Sequence, residues 1–444
     1  MHSDICEKVK QAGVVGAGGA GFPTYAKFSG GVDTVVVNGA ECEPLLRVDQ
    51  QLMEAAPQEM LRGLETMMQA TGATEGVIAT KAKYKQGIAA LKQHMPTDRM
   101  RIHLLDDFYP AGDEQVTVKE ATGRVVPQGG IPLKVGCVVV NVETLLNVAA
   151  ALGGKPVTHK YLTVTGEVEK PVTLYLPVGT SVAEALSLSG VKEMQGMRVI
   201  DGGPMMGKLI GDLQQPITKT TKGLIVLPEE HPVIRKRTQS CDKIIRQAKS
   251  ACIQCRFCTD LCPRFLLGHR LEPHRIMRAI RNTEAAPSVL KMVFACTECG
   301  VCEQYACFMD LSPRTVNAML KQELAKQGIK PEPPPADQVV DLLQQHRKIP
   351  VKRLIARLGL TSYDKPAPLR CEAITGSVVR IPLKQHVGAP AKATVTVGQQ
   401  VRCGDLIGQA PADGLGANVH ASIDGVITEA NDCIVIVGSE GRRQ

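Results

Sequence analysis

The chain has 444 residues, with 52 Lys plus Arg against 44 Asp plus Glu and a formal net charge of +8. This length predicts about two to four domains. It has no Trp and only seven Phe and seven Tyr, which leaves few stacking surfaces for single-stranded nucleic acid. The charge is also too diffuse to form a phosphate-binding stripe, so we expect no nucleic-acid partner.

The 15 cysteines are the unusual feature of this composition. A secreted disulfide scaffold would be short and would follow a signal peptide, whereas the opening MHSDICEKVK contains no apolar signal core. The longest apolar run, 135–152, is interrupted by Asn141, Glu143 and Asn147, and a bilayer span needs about 20 apolar residues. We therefore expect a cytoplasmic protein without a membrane span, whose cysteines bind a cofactor.

In chain order, about the first 150 residues alternate strand and helix patterns. Such alternation is typical of an α/β domain with a largely parallel sheet. The predicted strands are 34–37, 76–80, 100–105 and 136–140. The predicted helices are 48–71, 84–94, 114–122 and 142–152.

The rest of the chain predicts four further segments. A β-rich segment is followed by a helical, cysteine-rich one, and the proline-rich KPEPPPAD at 330–337 predicts a stiff linker before two short helices. The last segment is rich in Gly and Val, which favours a small β-sandwich or barrel. We therefore expect a multidomain α/β protein. We divide the chain into the segments 1–155, 156–230, 240–328, 329–365 and 366–444.

Eight cysteines form two motifs within the helical segment. They read Cys252-x2-Cys255-x2-Cys258-x3-Cys262-Pro263 and Cys296-x2-Cys299-x2-Cys302-x4-Cys307. In bacterial ferredoxins this pattern binds two [4Fe–4S] clusters, and the last cysteine of each motif ligates the other cluster. We expect one cluster on Cys252, Cys255, Cys258 and Cys307, and the other on Cys296, Cys299, Cys302 and Cys262.

Two zinc sites are the alternative interpretation of these motifs. Zinc prefers two CxxC pairs or mixed Cys and His, so a third thiolate in each triplet disfavours it. Cys307 departs from the ferredoxin pattern, because four residues precede it and no proline follows. For the other seven cysteines we expect small buried side chains; they are Cys6, Cys42, Cys137, Cys241, Cys371, Cys403 and Cys433.

A glycine-rich loop, GAGGAGFPT at 16–24, precedes Lys27 and would let a phosphate or ring approach the backbone. Alone it equally fits a flexible loop, because no strand precedes it. However, NGAECEP, YPAGDE and NVET follow three predicted strands, at the sheet edge where α/β folds bind ligands. Asn141 is also a suitable helix N-cap, and that helix N-terminus would suit a phosphate.

The motifs GGAGFPT, NGAECEP, YPAGDE and VNVETL resemble those of the flavin-binding subunit of respiratory complex I and its relative RnfC. The resemblance covers about residues 5–155 and implies an FMN site that NADH can reach. Complex I has an Arg where this chain has Ala17. The implied contacts are Gly16, Gly18, Gly19 and Lys27 along the flavin; Asn38, Ala40 and Glu41 beside its ring and ribityl chain; Val140, Asn141 and Thr144 at its phosphate; Gly112 and Glu114 at the flavin–NADH junction; and Phe22 near the nicotinamide nucleotide.

Two further segments resemble known modules. Residues 161–186 resemble the SLBB β-grasp module, and the C-terminal segment resembles a barrel-sandwich hybrid of lipoyl-domain shape. Its turn at 422–425, SIDG, lacks the lysine that carries lipoate, so no swinging arm is expected. The whole length, with this β domain last, resembles the cobalamin reductases of propanediol-utilisation microcompartments.

That resemblance implies an enzyme that passes electrons from NADH through FMN and two [4Fe–4S] clusters to a corrinoid. Cob(III)alamin would become cob(II)alamin and then cob(I)alamin, which reactivates the cofactor of 1,2-propanediol utilisation. Lys27 would steady charge on the flavin, and Glu114 would act on the dinucleotide. The implied partners are the corrinoid, a microcompartment shell protein and a corrinoid adenosyltransferase, with residence in or on the microcompartment.

Two other functions stay open at this point. One is an RnfC-like NADH-input subunit of a membrane-associated ferredoxin:NAD oxidoreductase complex, and the other is a non-catalytic electron conduit at a shell. Cobalt coordination is also open, because His269, His274 and His386 are candidate ligands and the sequence favours none of them.

Overall fold

The computed structural model describes residues 2–28, 30–281, 286–370 and 377–438. Its first part contains a four-stranded parallel sheet in the order β3-β2-β1-β5, as the alternating pattern predicts. Its elements are α1 (His2–Gln11), β1 (Thr34–Gly39), α2 (Val48–Ala55), α3 (Pro57–Thr71), β2 (Glu75–Lys81), α4 (Lys85–His94), β3 (Met100–Leu105), β4 (Phe108–Tyr109), α5 (Glu114–Thr122), β5 (Cys137–Asn141) and α6 (Val142–Leu152).

The helix predicted at 48–71 is two helices, α2 and α3. Proline disfavours helical backbone in the residue before it, and Ala56, which precedes Pro57, has φ −137° and ψ 51°. Pro57 then begins α3, where its missing N–H costs nothing. The apolar face of α3 packs with α6 against the sheet through Leu64, Met67 and Leu145.

The β-grasp segment forms a mixed sheet in the order β7-β6-β10-β8-β9. A two-residue strand from much later in the chain, Leu369–Arg370, extends it beside β7. Lys160 on β6 forms an ion pair with Glu143 on α6, and both side chains are buried, which fixes this sheet to the first part. The elements are β6 (His159–Gly166), β7 (Val172–Pro177), α7 (Val182–Ser187), β8 (Met197–Asp201), β9 (Lys208–Leu209) and β10 (Gly223–Pro228).

The cysteine-rich segment is helical, as predicted, and a π-helical turn (Val301–Ala306) precedes its last helix. After it, the proline-rich 330–337 contains neither helix nor strand, and a short strand then pairs with β4. The elements are α8 (Pro232–Arg237), α9 (Cys241–Ala251), α10 (Phe257–Asp260), α11 (Pro263–Leu266), α12 (Pro273–Ala279), α13 (Pro287–Lys291), α14 (Pro313–Lys326), β11 (Ile349–Pro350) and α15 (Val351–Arg357).

The C-terminal segment packs two antiparallel sheets, in the orders β13-β19-β18-β15 and β14-β16-β17, around one apolar core. This agrees with the predicted small β-sandwich. The strand that extends the β-grasp sheet is β12 (Leu369–Arg370). The strands of the two C-terminal sheets are β13 (Val378–Pro382), β14 (Lys392–Ala393), β15 (Gln400–Val401), β16 (Leu406–Gln409), β17 (Val419–His420), β18 (Gly425–Ala430) and β19 (Cys433–Gly438). Among the described residues, no helix is both long and apolar enough to cross a bilayer.

Candidate functional site

A cavity of about 460 Å³ lies at the carboxyl edge of the parallel sheet, under the glycine-rich loop. The motifs NGAECEP, YPAGDE and NVET all contribute to its wall. YPAGDE was predicted to follow the strand at 100–105 directly, but its first residue belongs to a further short strand, β4. The predicted residues that line the cavity are Gly16, Gly18, Gly19, Phe22, Lys27, Asn38, Glu41, Gly112, Glu114, Val140, Asn141 and Thr144.

Ala40 is the predicted contact that does not line this cavity. Its side chain is fully buried in the core behind the cavity wall. Its N–H donates to the Asn38 side-chain oxygen at 3.3 Å, and the Asn38 amide donates to the Gly112 carbonyl at 2.9 Å. Ala40 therefore helps to fix the orientation of Asn38.

The glycine loop folds back on itself before it meets α6. The Gly16 N–H donates to the Phe22 carbonyl at 2.9 Å, and the Ala17 N–H donates to the Thr144 hydroxyl at 3.0 Å. Gly19 has φ +64°, and a Cβ there would meet nothing within 4 Å. The loop therefore leaves its backbone open to a ligand on the cavity side.

The N-terminus of α6 reaches the same cavity. Asn141 caps this helix, because its side-chain oxygen accepts from the Glu143 N–H at 3.2 Å. Its amide donates to Asp49 at 3.1 Å. The free N–H groups and the dipole of a capped helix N-terminus attract an anion, which suits the phosphate end of a nucleotide.

Lys27 and Glu114 are two charged residues of the same cavity wall. The Lys27 ammonium donates to the Val139 carbonyl at 2.7 Å. Burial lowers the pKa of Lys27 and raises the pKa of Glu114, and the opposite charge of each partly offsets the effect of burial on the other. The two groups are therefore electrostatically linked across the cavity.

A carboxylate cluster on the third side includes a lysine that sequence reasoning missed. Glu41 accepts from the backbone N–H groups of Asp49, at 3.0 Å, and Gln50, at 3.2 Å, so it caps α2. Lys222, from the β-grasp segment, forms an ion pair with Asp49. Burial and Asp49 raise the pKa of Glu41, while Lys222 opposes that rise.

The sequence did not predict that Lys222 belongs to this site, because Lys222 reaches the cavity from the β-grasp segment. Asp49 could have been suspected, since it lies in the first turn of α2. Other unpredicted residues complete the wall: Ala20, Gly21, Thr24, Cys42, Glu43, Leu46, Tyr109, Pro110, Asp113, Val139, Met206 and Cys299.

Within the described part of the chain, two buried polar atoms of wall residues have no hydrogen-bond partner, the Thr24 hydroxyl and one Asp49 carboxylate oxygen. Buried polar atoms normally have partners, so these atoms indicate that a polar ligand belongs in the cavity. Bare glycine backbone, a capped helix N-terminus and two lysines fit the phosphate, ribityl chain and ring of FMN.

The cysteine-rich segment shares this cavity through Cys299. The Tyr109 hydroxyl donates to the Cys299 carbonyl at 2.6 Å. Arg264 donates through two nitrogens to the Asp113 carboxylate, at 2.9 and 3.0 Å, and both side chains are largely buried. Such paired bonds fix orientation as well as distance, so one cysteine set is held directly against the flavin site.

We call Cys262, Cys296, Cys299 and Cys302 the inner cysteine set. These four residues line one small cavity. Burial raises the pKa of the Cys302 thiol, and the thiols of the other three raise it further. The set therefore combines three cysteines of the second motif with the last cysteine of the first.

We call Cys252, Cys255, Cys258 and Cys307 the outer cysteine set. Burial raises the pKa of Cys258 to about 12, with further contributions from the other three thiols. Cys307 is thus grouped with the first motif despite its longer spacing. Cys255 is exposed, so this set reaches the surface.

The two motifs also share an unusual backbone conformation. Gln254 and Glu298, each just before a second cysteine, have φ 57° and 59°, and Arg256 and Gly300, each just after it, have φ 70° and 80°. Such left-handed turns direct N–H groups inward to an anion. The Glu298 N–H donates to the Cys296 sulfur at 3.4 Å, as expected for thiolates around a cluster.

No three His, Cys, Asp or Glu side chains in the described ranges converge as a single metal ion requires. Of the cysteines outside the motifs, Cys137 is buried as predicted, whereas Cys6, Cys42 and Cys433 are half-buried and Cys241 and Cys403 are exposed. The prediction of buried side chains was therefore wrong for the last two, which lie at a helix start and in a loop. Cys371 lies outside the described residues.

The three histidines are all engaged by the protein. His269 contacts the Val126 carbonyl at 3.2 Å, His274 contacts the Thr259 hydroxyl at 2.7 Å, and His386 accepts from the Ala417 N–H at 3.1 Å. None of these contacts directs an imidazole to the cavity beneath the glycine loop.

Four family models match the chain in order. They are the Nuo51 FMN-binding domain at residues 9–150, the SLBB domain at 161–209, a 4Fe-4S dicluster domain at 251–312 and the RnfC barrel sandwich hybrid domain at 367–442. They confirm the predicted fold class, FMN and two [4Fe–4S] clusters as the cofactors, and an oxidoreductase, and they exclude the zinc alternative.

Full-length relatives agree with these domains. The chain is 47% identical over 438 residues to the cobalamin reductase PduS of Salmonella typhimurium, covering 98% of this chain and 96% of that one. It is 46% identical over 437 residues to the PduS of Citrobacter freundii, with the same coverage. It is 34% identical over 273 residues to a component of the Na(+)-translocating ferredoxin:NAD(+) oxidoreductase complex of Acetobacterium woodii, covering 59% of this chain and 58% of that component.

Among solved structures, an NAD+-reducing [NiFe]-hydrogenase is similar at a TM-score of 0.49 and 20% identity, covering 82% of this chain and 68% of that one. The identity and coverage of the two PduS relatives are what assign the family. The chain belongs to the PduS cobalamin reductase family.

Proposed function

We propose that this protein is an NADH-dependent corrinoid reductase whose two cysteine sets carry electrons outward from the flavin. The observation that carries the proposal is Cys299, which belongs to the inner cysteine set and also lines the cavity beneath the glycine loop. No residue of the outer cysteine set is among the residues that line this cavity, and the outer set reaches the surface through the exposed Cys255. Electrons would therefore pass from flavin to inner cluster, to outer cluster, to corrinoid.

For the flavin, we assign the glycine loop and α6 to the phosphate and ribityl chain. Thr144, Asn141 and Val140 lie at that end, and Lys27 and Lys222 supply positive charge. Asn38 and Glu41 lie along the wall toward Gly112. When bound, the flavin supplies the exchange between two-electron and one-electron chemistry.

For NADH, we assign the open end of the cavity. Phe22 has 39% of its surface exposed there and offers a ring for the nicotinamide nucleotide. Gly112 lines the same cavity, and a Cβ at that position would come within 3.0 Å of the Cys42 sulfur, so the wall packs closely there. Glu114 lines the same cavity and would orient the dinucleotide by hydrogen bonding.

The overall reaction balances without another reductant. One NADH and two cob(III)alamin give NAD+, one H+ and two cob(II)alamin, and a second NADH reduces both to cob(I)alamin. His269 and His386 are buried, and His274 bonds the Thr259 hydroxyl through one ring nitrogen; we propose reduction without cobalt coordination by a side chain. We also propose four domains, at 1–155, 156–230, 240–328 and 366–444, with 329–365 as a linker that carries short helices.

The decisive experiment is anaerobic purification followed by cofactor analysis and turnover. We expect one FMN per chain, iron and sulfide for two clusters, and NADH oxidation coupled to reduction of hydroxocobalamin. A protein without FMN would contradict the flavin assignment. NADH oxidation with ferricyanide but none with any corrinoid would contradict corrinoid reduction and support the second candidate below.

The second candidate is an NADH-input subunit that passes electrons to a protein partner. It is favoured by the 34% identity to a component of a ferredoxin:NAD(+) oxidoreductase complex. Reduction of ferredoxin or a partner flavoprotein at a higher rate than hydroxocobalamin would support it.

We further propose cytoplasmic residence within or attached to a microcompartment, with a shell protein and a corrinoid adenosyltransferase as partners. The support is the similarity to the PduS proteins over nearly the full chain. Co-purification of tagged protein with intact microcompartments tests the location. Recovery only in the fraction without shells would contradict it.

A further inference from the structure

The surface around the outer cysteine set is unusually apolar. Ile253, Phe257, Phe308 and Met309 are 57%, 49%, 53% and 40% exposed. The Phe257 and Phe308 rings meet edge to face, with centroids 6.0 Å apart. We call these four residues the exit patch. Contiguous exposed apolar side chains mark binding surfaces, and here they adjoin cluster ligands in the chain.

A cavity of about 450 Å³ opens beside the exit patch and includes Phe308 in its wall. Arg357 also lines it and donates to the Cys307 carbonyl at 3.4 Å, so the cavity directly adjoins the outer cysteine set. The rest of its wall comes from α8, the loop before α9, the end of α15, Gln304 in the π-helical turn and Asp310 in the loop before α14.

Two amide side chains in this cavity have buried atoms without partners. They are the Gln239 side-chain oxygen and the Gln304 side-chain nitrogen, and Gln304 is only 8% exposed. One can accept and the other can donate a hydrogen bond. Since buried polar atoms are normally paired, this combination fits a ligand that carries a primary amide.

The charged groups of the cavity suit an anion at its rim. Lys236 is neutralised, because it donates to Asp310 and to the Glu303 carbonyl, each at 2.8 Å. Arg235 contacts Glu230 only at 4.0 Å and is largely exposed. Arg357 contacts a carbonyl rather than a carboxylate. Arg235 and Arg357 therefore remain available for a phosphodiester.

A corrinoid combines these features: a broad ring with apolar faces, a rim of primary amides, and a nucleotide loop with one phosphodiester. We propose that the corrinoid lays its ring on the exit patch, places an amide between Gln239 and Gln304, and directs its phosphodiester to Arg357. The cavity would hold an edge of the molecule, not all of it. This inference rests on the proposed function, which it extends by assigning the substrate site.

The test is direct binding of cyanocobalamin to the oxidised, fully loaded protein, measured by equilibrium dialysis. We expect Gln304→Leu, Gln239→Leu and Phe308→Ala each to weaken binding about 10-fold, because each removes one complementary contact. Gln86→Leu, an exposed glutamine on α4, is the matched control and should bind normally. NADH–ferricyanide activity should be unchanged in all four variants, which shows that the flavin site is intact.

A second arm isolates the phosphodiester. Arg357→Gln should weaken cyanocobalamin about 5- to 10-fold and leave dicyanocobinamide, which lacks the nucleotide loop, unaffected. If the parent protein binds cyanocobalamin and all variants bind it equally well, the site is elsewhere while corrinoid reduction stands. If the parent neither binds nor reduces a corrinoid, both this inference and the proposed function are wrong.

Discussion

The two cysteine sets have almost the same motif and very different surroundings. Both use triplets spaced by two residues, with left-handed backbone at matching positions. The inner set contacts the flavin cavity through Cys299. It also shares its own small cavity with Arg264, which is paired with Asp113. The outer set is flanked by the four exposed apolar residues of the exit patch. Local spacing therefore specifies a cluster, while packing specifies its place in the electron path.

The largest expected effect separates the two sets directly. Cys299→Ala and Cys255→Ala should each lower NADH-driven corrinoid reduction by about 100-fold or more, because either interrupts a single path. Their spectra should differ. After NADH addition, Cys255→Ala should still show a reduced inner cluster by electron paramagnetic resonance, whereas Cys299→Ala should show no reduced cluster at all.

The exposed Cys241 provides the control for this comparison. Cys241→Ala should retain parental activity and both cluster signals. If NADH still reduces the outer cluster in Cys299→Ala, the flavin does not feed the inner set first, and the proposed order of the clusters is wrong.

The next effect concerns the arginine beside each set. Arg264→Met leaves the buried Asp113 carboxylate without its cation, with the Gln115 and Val116 N–H groups as its other donors; breaking a buried ion pair costs about 3–5 kcal/mol. Arg256→Met removes the more exposed pair with Asp260 and should cost less than about 1 kcal/mol. Urea unfolding of the loaded proteins measures both, and equal losses of stability would contradict the buried anchor.

The sequence predicted elements and motifs well where the signal is local. The parallel sheet and the capped helix α6 follow from periodicity and capping. The assignment of Cys262 and Cys307 to opposite clusters stays a prediction from the cysteine spacing. The sequence did not predict that Pro57 separates two helices within 48–71, although proline at a helix start is a local signal.

Residues that reach a site from another unit were beyond such reasoning. Lys222 and Met206 join the flavin cavity from the β-grasp segment, and the Leu369–Arg370 strand extends that segment's sheet from far along the chain. Tertiary packing brings these residues and this strand to their positions, and that packing cannot be predicted from the hydrophobic periodicity or from the spacing of motifs. Exposed Cys241 and Cys403 similarly show that cysteine identity alone does not determine burial.

A smaller effect is expected at the flavin end of the path. Lys222→Gln leaves Asp49 and Glu41 without their shared cation, so we expect FMN to bind about 10-fold more weakly, or ~1.4 kcal/mol. Fluorescence titration of the flavin-free protein measures this. Lys208→Gln, on an exposed strand position, should bind FMN normally, and an equal loss in both variants would contradict a specific role for Lys222.

The smallest effect compares two buried lysines. Lys236 has an acid partner in Asp310, whereas the acceptors of the Lys219 ammonium among the residues that the structure describes are the carbonyls of Gly13 and Asn418, each at 2.8 Å. Burial lowers the pKa of Lys219 to about 7. His386 and His420 also face it, and burial lowers the pKa of both, that of His420 to about 3.

Because the folded pKa of Lys219 is below the unfolded value of 10.5, the unfolded chain binds more protons between pH 7 and 10.5. Its contribution to stability therefore rises with pH over that window, by up to about 1.4 kcal/mol per unit, and is flat below it. Lys219→Met removes this pH-dependent contribution to the free energy of unfolding. The unfolding free energy of the parent minus that of Lys219→Met should therefore increase from pH 7.5 to pH 8.5, and a constant difference would show that Lys219 stays protonated in its interface.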